Sequence, residues 1–325
     1  MTAMTPPSPL HRFPRNVAAL IATFGVALLL GARSSGDGVP VPTPMATTAS
    51  RTPLGPLPFH YDLHTFKGEA GETDVVAAVA VPVRRLGRER HEGRVRYRFD
   101  VRFVLADTAE KSVVDRIDSV FVSVPRPLAR RHLLHTVVEL RTEPSRAIRQ
   151  RIVVTDVARP GYGQLYQSDF PVPDYTGTDL MLSDVAFGLP GARAGWTRRD
   201  VSLALLPTSQ FPESSFDVYY EIYNLPPTRP YETEIAIQPL DDDDEPVVRT
   251  VFQGESDAGD DGVIGELRRV ESALDRGRYR VTVTVTDGVD GRVAQRSRIV
   301  DVTGWRPGVT MVPARSKRGA GEEDS

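Results

Sequence analysis

Leu274-Asp-Arg-Gly-Arg-Tyr-Arg-Val-Thr-Val-Thr-Val-Thr-Asp287 sets a Leu and a tight Gly turn ahead of Tyr279, and from there it alternates strictly. Tyr279, Val281, Val283 and Val285 fall on one face of a strand, with Arg280, Thr282 and Thr284 on the other, and period two is the mark of a half-buried strand. A Tyr at the entry of such a strand predicts a tyrosine corner. There the hydroxyl bonds back to the backbone just upstream and pins a central strand of an immunoglobulin-like sandwich.

Outward from that corner the pattern repeats. Val95–Asp107 (VRYRFDVRFVLAD) places Val95, Tyr97, Phe99, Val101, Phe103 and Leu105 on a core face and Arg96, Arg98, Asp100 and Arg102 toward water. Thr73–Leu86 reads as a strand whose Pro82 marks an edge or a strand end. Ser112–Val124, Leu134–Arg141 and Arg149–Val157 continue the series. Asp156–Tyr175, dense in Pro and Gly, reads as the exit from this half. Seven further runs follow: Asp179–Phe187, Asp200–Leu206, Ser215–Tyr223, Tyr231–Leu240, Val247–Gln253, Arg278–Thr286 and Arg292–Val302. The expectation is an all-β chain of two immunoglobulin-like β-sandwich domains in tandem, over 59–174 and 175–303, nearly without helix.

The flanks differ in composition. His11, Arg12 and Arg15 precede the apolar run VAALIATFGVALLLGA, Val17 to Ala32, and small residues follow. That order of regions predicts a secretory signal peptide over 1–34, cut near Ser34-Ser35. A retained anchor is the alternative, although the run falls short of the ~20 residues of a spanning helix. Residues 35–58, rich in Pro, Thr, Ser and Gly, read as a disordered linker, and 304–325 as a disordered tail. The predicted location is outside the cytoplasm: periplasmic, outer-envelope associated or extracellular, with a membrane involved only if the N-terminal segment stays uncut.

Across 325 residues the net charge is −3, and there is no cysteine. A nucleic-acid partner would call for a basic stripe, which the sequence lacks. Without cysteine there are no disulfides and no thiolate nucleophile, so each domain stands on its apolar core, which demands more than ~70–80 residues. Lys occurs only at Lys67, Lys111 and Lys317, so Arg supplies nearly all positive charge.

Little in the sequence carries chemistry. His60, Asp62 and His64 share one face of a strand, but ~6.6 Å between successive same-face positions is too far for one ion without a bend. The simpler reading puts Tyr61 and Leu63 in the core and the polar trio in water. His132 and His135 read as surface histidines. The acidic stretches Asp241 to Glu245 and Asp257 to Gly262 read as solvated turns, and the second fails calcium-loop spacing because Arg268 stands where the terminal Glu belongs. No hydrolase elbow or phosphate loop is present, so no catalytic residue, metal or cofactor is assigned. In Ser214–Tyr223, Tyr219 and Tyr223 share a face with Asp217 and Glu221, and Tyr231 opens the next strand. Those three tyrosines are the candidate ligand face, for a sugar ring or a peptide, with cross-strand pairing or packing between domains as the competing role.

The strings VPDYTGTDLMLSDVAFG (172–188), FPESSFDVYYEIYNLPPTRPYETEI (211–235) and Gly277–Asp287 resemble the β-sandwich region of GWxTD-domain proteins of bacterial envelopes. The likeness runs from about Thr73 to Val302. The namesake motif is absent: Gly304-Trp305 is followed by Arg306-Pro307, and Gly195-Trp196 by Thr197-Arg198-Arg199. The resemblance implies a secreted envelope protein and transfers no functional residue. The expected function is a non-catalytic exported interaction or structural protein with a protein partner in the envelope; the alternative is a carbohydrate- or peptide-binding accessory module with a glycan as its ligand.

Overall fold

Alternation of the kind seen at Tyr279 buries one face of each strand, so strands of this composition must stack as sheets. A computed structural model describes residues 55–108, 113–189, 195–208, 215–241, 246–257, 262–271, 274–303 and 309–311. Its secondary structure is almost wholly β, with short 3-10 turns such as Val83–Arg85 as the helical content of the described residues.

Four sheets carry the fold. In the first, Gly55–Pro56, Tyr162–Asp169, Ile148–Asp156, Arg94–Asp107 and Val113–Val124 lie side by side, with Glu89–His91 closing a hairpin on Arg94–Asp107. The second orders His60–Lys67, Thr73–Pro82, Leu133–Thr142 and Val309–Met311. Val95, Phe99, Val101 and Phe103 of the first sheet meet Val75, Ala77, Val79 and Val138 of the second in one apolar core. The third is built around Phe216–Tyr223, flanked by Val263–Val270 on one side and by Met181–Leu182 and Ala186–Leu189 on the other, with Val201–Leu205 and Trp196–Arg198 beyond. The fourth orders Val248–Glu255, Pro230–Pro239, Gly277–Asp287 and Val293–Val302. A second core joins Phe187, Phe216, Val218 and Tyr220 to Ile235, Val281, Val283 and Val300.

The Tyr279 hydroxyl donates to the Asp275 carbonyl at 3.0 Å, the upstream bond that the corner requires.

The two sandwiches do not sit as separate beads. Phe66, Val76, Ala78 and Val137 of the second sheet pack on Ala186, Trp196, Leu203, Leu205 and Tyr219 of the third, and the described residues form one compact unit. The middle strands therefore bury both faces: every residue of Phe216–Tyr223 is buried, as is every residue of Thr73–Pro82 except Asp74.

Several boundaries move. Part of the expected linker is strand and core: Gly55–Pro56 pairs in parallel with Tyr162-Gly163, and Leu57 is fully buried. Thr73–Pro82 is central in its sheet, with Pro82 at the strand end. The Pro- and Gly-rich passage holds a strand, Tyr162–Asp169, because backbone pairing to Ile148–Asp156 overrides its weak local pattern. Within the expected tail, Val309–Met311 returns to the first sandwich and pairs in parallel with Leu133, Leu134 and His135. The predicted signal peptide lies outside the described residues, as do 242–245 and 258–261 of the acidic stretches. Among the described residues no helix is long and apolar enough to cross a membrane.

Candidate functional site

A carboxylate on a strand buried on both faces must find donors or cost several kcal/mol. Glu221 is fully buried on the Phe216–Tyr223 strand. Its Oε1 accepts from Arg198 Nε (2.7 Å), Tyr219 OH (2.8 Å) and Arg199 Nε (3.3 Å), and its Oε2 from Tyr223 OH (2.7 Å) and Arg198 Nη2 (3.1 Å). Arg198 lies on the three-residue strand Trp196–Arg198, and Arg199 follows in a left-handed turn with φ of 53°. That turn brings back a side chain that plain alternation would have sent to the other face.

Arg198 also holds the first sandwich. Its Nη1 donates to Asp74 Oδ2 (3.0 Å), its Nη2 to the Lys67 carbonyl (2.8 Å), and its guanidinium stacks 4.6 Å over the Phe66 ring. Asp74 in turn accepts from Arg141 (2.8 Å), and the Lys67 amide donates to Tyr223 OH (2.9 Å). Burial works against the charge of Arg198, yet its bonds to Glu221 and Asp74 raise its pKa. Burial, reinforced by the Glu221 charge, raises the Tyr219 and Tyr223 hydroxyls, which stay protonated donors.

A second polar cluster forms at a β-bulge. Leu182 pairs with Ile222 and Ala186 with Tyr219, so residues 183–185 stand opposite only Tyr220 and Glu221. An extra residue re-aims its neighbours. Asp184 Oδ2 thereby accepts from the Thr65 amide (2.9 Å) and hydroxyl (2.8 Å) across the seam, and Thr65 shares a bond with Tyr175 OH (2.9 Å). Ser183 Oγ accepts from the Glu221 amide. Past the bulge Arg298 reaches from the fourth sheet into the first sandwich, donating to the Leu63 carbonyl and to His64 Nδ1 (2.9 Å) and pairing with Asp62 (3.4 Å). Beside this cluster a cleft of about 890 Å3 opens, lined by Thr65, Ser145, Phe170 and three prolines and charged by Arg146, Arg296 and Arg298 against Asp174 and Asp184.

The three candidate tyrosines do not make an open face. Tyr219 and Tyr223 are fully buried against the first sandwich, with Tyr219 beside Phe66 and Trp196 (ring centroids 5.9 and 5.5 Å). Tyr231 is buried in the other direction, in the core of the second sandwich, where its hydroxyl donates to Glu266. The His60/Asp62/His64 face likewise looks into the seam rather than into water, and His64 is fully buried. His135 is buried too, not a surface residue. Among the described residues no group of three or more His, Asp or Glu is set to hold a metal ion. Sequence reasoning missed Arg198, Arg199, Asp74 and Asp184. The available signal was a Glu centred in a strand otherwise fit for burial.

No protein-family model matches this chain, and no curated protein does. Among solved structures, red sea bream transglutaminase aligns at 12% identity and TM-score 0.20 over 75% of this chain and 31% of its own. A Bacteroides uniformis beta-glucuronidase aligns at 9% identity and 0.27, over 71% and 26%. A putative beta-galactosidase from Bacteroides fragilis aligns at 12% and 0.24, over 74% and 34%. The chain thus spans roughly a third or less of each, and alignments this loose say nothing of its chemistry.

Proposed function

We propose that this chain is an exported, non-catalytic interaction or structural protein of the bacterial cell envelope, with its two sandwiches acting as one rigid body. One observation carries the reading. Arg198 joins Glu221 of one sandwich to Asp74 and the Lys67 carbonyl of the other, so a fully buried carboxylate and its guanidinium hold the layers in register. Such a network is a structural investment, because breaking a buried pair is strongly destabilising. The resemblance to GWxTD-domain envelope proteins and the charged-apolar-small order of the N-terminus support export. The accessory-module alternative loses its platform with the burial of Tyr219, Tyr223 and Tyr231.

The test is fractionation of an expressing bacterial host followed by intact-mass measurement. The expected product lies outside the cytoplasm and begins near Ser35. An uncut chain in the cytosol would overturn the export reading.

A further inference from the structure

Val113–Val124 forms twelve residues of sheet edge, pairing with Arg94–Asp107 on one side and with no other described strand. Free edges are templates for another strand, and proteins commonly blunt them with Lys, Pro or bulges. This one has no Lys or Pro between Val113 and Val124, and its outer face shows Val113 at 64%, Ile117 at 59% and Phe121 at 48% exposure. On its inner face Asp118 is buried; Oδ1 pairs with Arg116 at 3.5 Å, while Oδ2 is buried with no hydrogen-bond partner among the described residues. A buried carboxylate oxygen left unpaired is costly. Burial raises the Asp118 carboxyl, with Arg116 opposing.

We propose that this edge pairs antiparallel with the same edge of a second copy of the chain, with Ile117 on the two-fold axis. In that register Val113 faces Phe121 of the second copy, Val114 faces Val120, Asp115 faces Ser119, and Arg116 faces Asp118. Directly opposed side chains stand ~4.5–5.5 Å apart at Cβ, which brings a guanidinium to the unpaired carboxylate oxygen twice per dimer. Moving the axis to Ser119 would set Asp118 against Val120 and Arg116 against Val122. Moving it to Asp115 would set Arg116 against Val114 and carry Asp118 off the strand. Of these, only the Ile117 axis sets Arg116 against Asp118 while keeping the apolar residues against one another, as a self-complementary two-fold contact demands. An inward charge can also guard an edge against pairing; the same experiment separates the two roles.

Sedimentation velocity on the full chain over a concentration series reads the association, with thermal melting as the check on folding. The wild type forms a dimer. Arg116→Asp and Asp118→Arg each place like charges opposite one another and weaken the dimer ~10-fold or more, and the double exchange restores it. Ile117→Lys alters an exposed side chain, leaves the monomer folded, and abolishes association by setting two ammonium groups at the axis. A wild type that stays monomeric into the sub-millimolar range would overturn the proposal and make Asp118 the guard. So would a dimer indifferent to Ile117→Lys, or a folded double exchange that fails to reassociate.

Discussion

Acidification from pH 7 to pH 5 should weaken this protein through two buried histidines. His64 Nδ1 accepts from Arg298, which can only donate, so the ring is neutral with its proton on Nε2, and that atom is buried without a partner among the described residues. Neither ring nitrogen of His135 makes a well-formed hydrogen bond among the described residues, and only the Leu205 backbone lies near enough to oppose the effect of burial. Burial first, then Arg298, lowers His64 to about 4, against the opposing pull of Asp62, Asp184 and the Val185 backbone. Burial, with His132 and His60 adding to it, lowers His135 to about 3. Both folded values lie below the unfolded 6.5, so as pH falls the unfolded chain takes up protons first. The stability is whole above pH 6.5 and is lost between 6.5 and the folded values. Each histidine then costs about 1.4 kcal/mol per pH unit in that window, or about 2 kcal/mol at pH 5. The pair removes about 4 kcal/mol from a total of ~5–15. Urea denaturation at pH 7.5, 6 and 5, on wild type and on His135→Leu, isolates the effect, since carboxylate contributions common to both cancel. The variant should lose about 2 kcal/mol less over the interval. At pH 7.5 it should be nearly as stable as wild type, because no well-formed hydrogen bond is removed. Equal pH slopes for the two proteins would refute the reasoning.

Tyr279→Phe should cost ~0.5–1.5 kcal/mol for the lost bond to Asp275, and Tyr279→Ala ~3–5 kcal/mol for the cavity; near-zero effects from both would remove the corner from the fold's supports. Glu221→Gln strips the counter-charge from Arg198 and should cost about 3 kcal/mol in chemical denaturation. Unchanged stability would mean that Asp74 alone suffices to hold that guanidinium.

What was legible in the sequence was the side of each strand that faces its own core. Tyr279 through Val285 and Val95 through Leu105 point inward as alternation demands. The opposite faces of the middle strands were misjudged because alternation was read as one dry face and one wet one. The clue stood in Val75–Val83, apolar without interruption, which is how a strand covered on both sides reads. The partners of Glu221 were harder to find. Arg198 and Arg199 lie on a different strand and turn, and a turn-like GWTRRD gives no local sign of reaching a buried carboxylate. Tyr162–Asp169 and Val263–Val270 were hidden for a related reason: pairing to a neighbour supplies what their propensities lack.

The return of Val309–Met311 to Leu133–His135 bears on assembly during synthesis. A chain that emerges from its N-terminus presents the rest of the first sandwich long before Val309–Met311 exists, so the backbone of Leu133, Leu134 and His135 waits with an open edge while the whole second sandwich is made. Transiently open edges are where growing chains misassociate. A chain that met such a delay would gain from a holding chaperone, and a stop placed before Val309 would leave that edge open for the lifetime of the molecule.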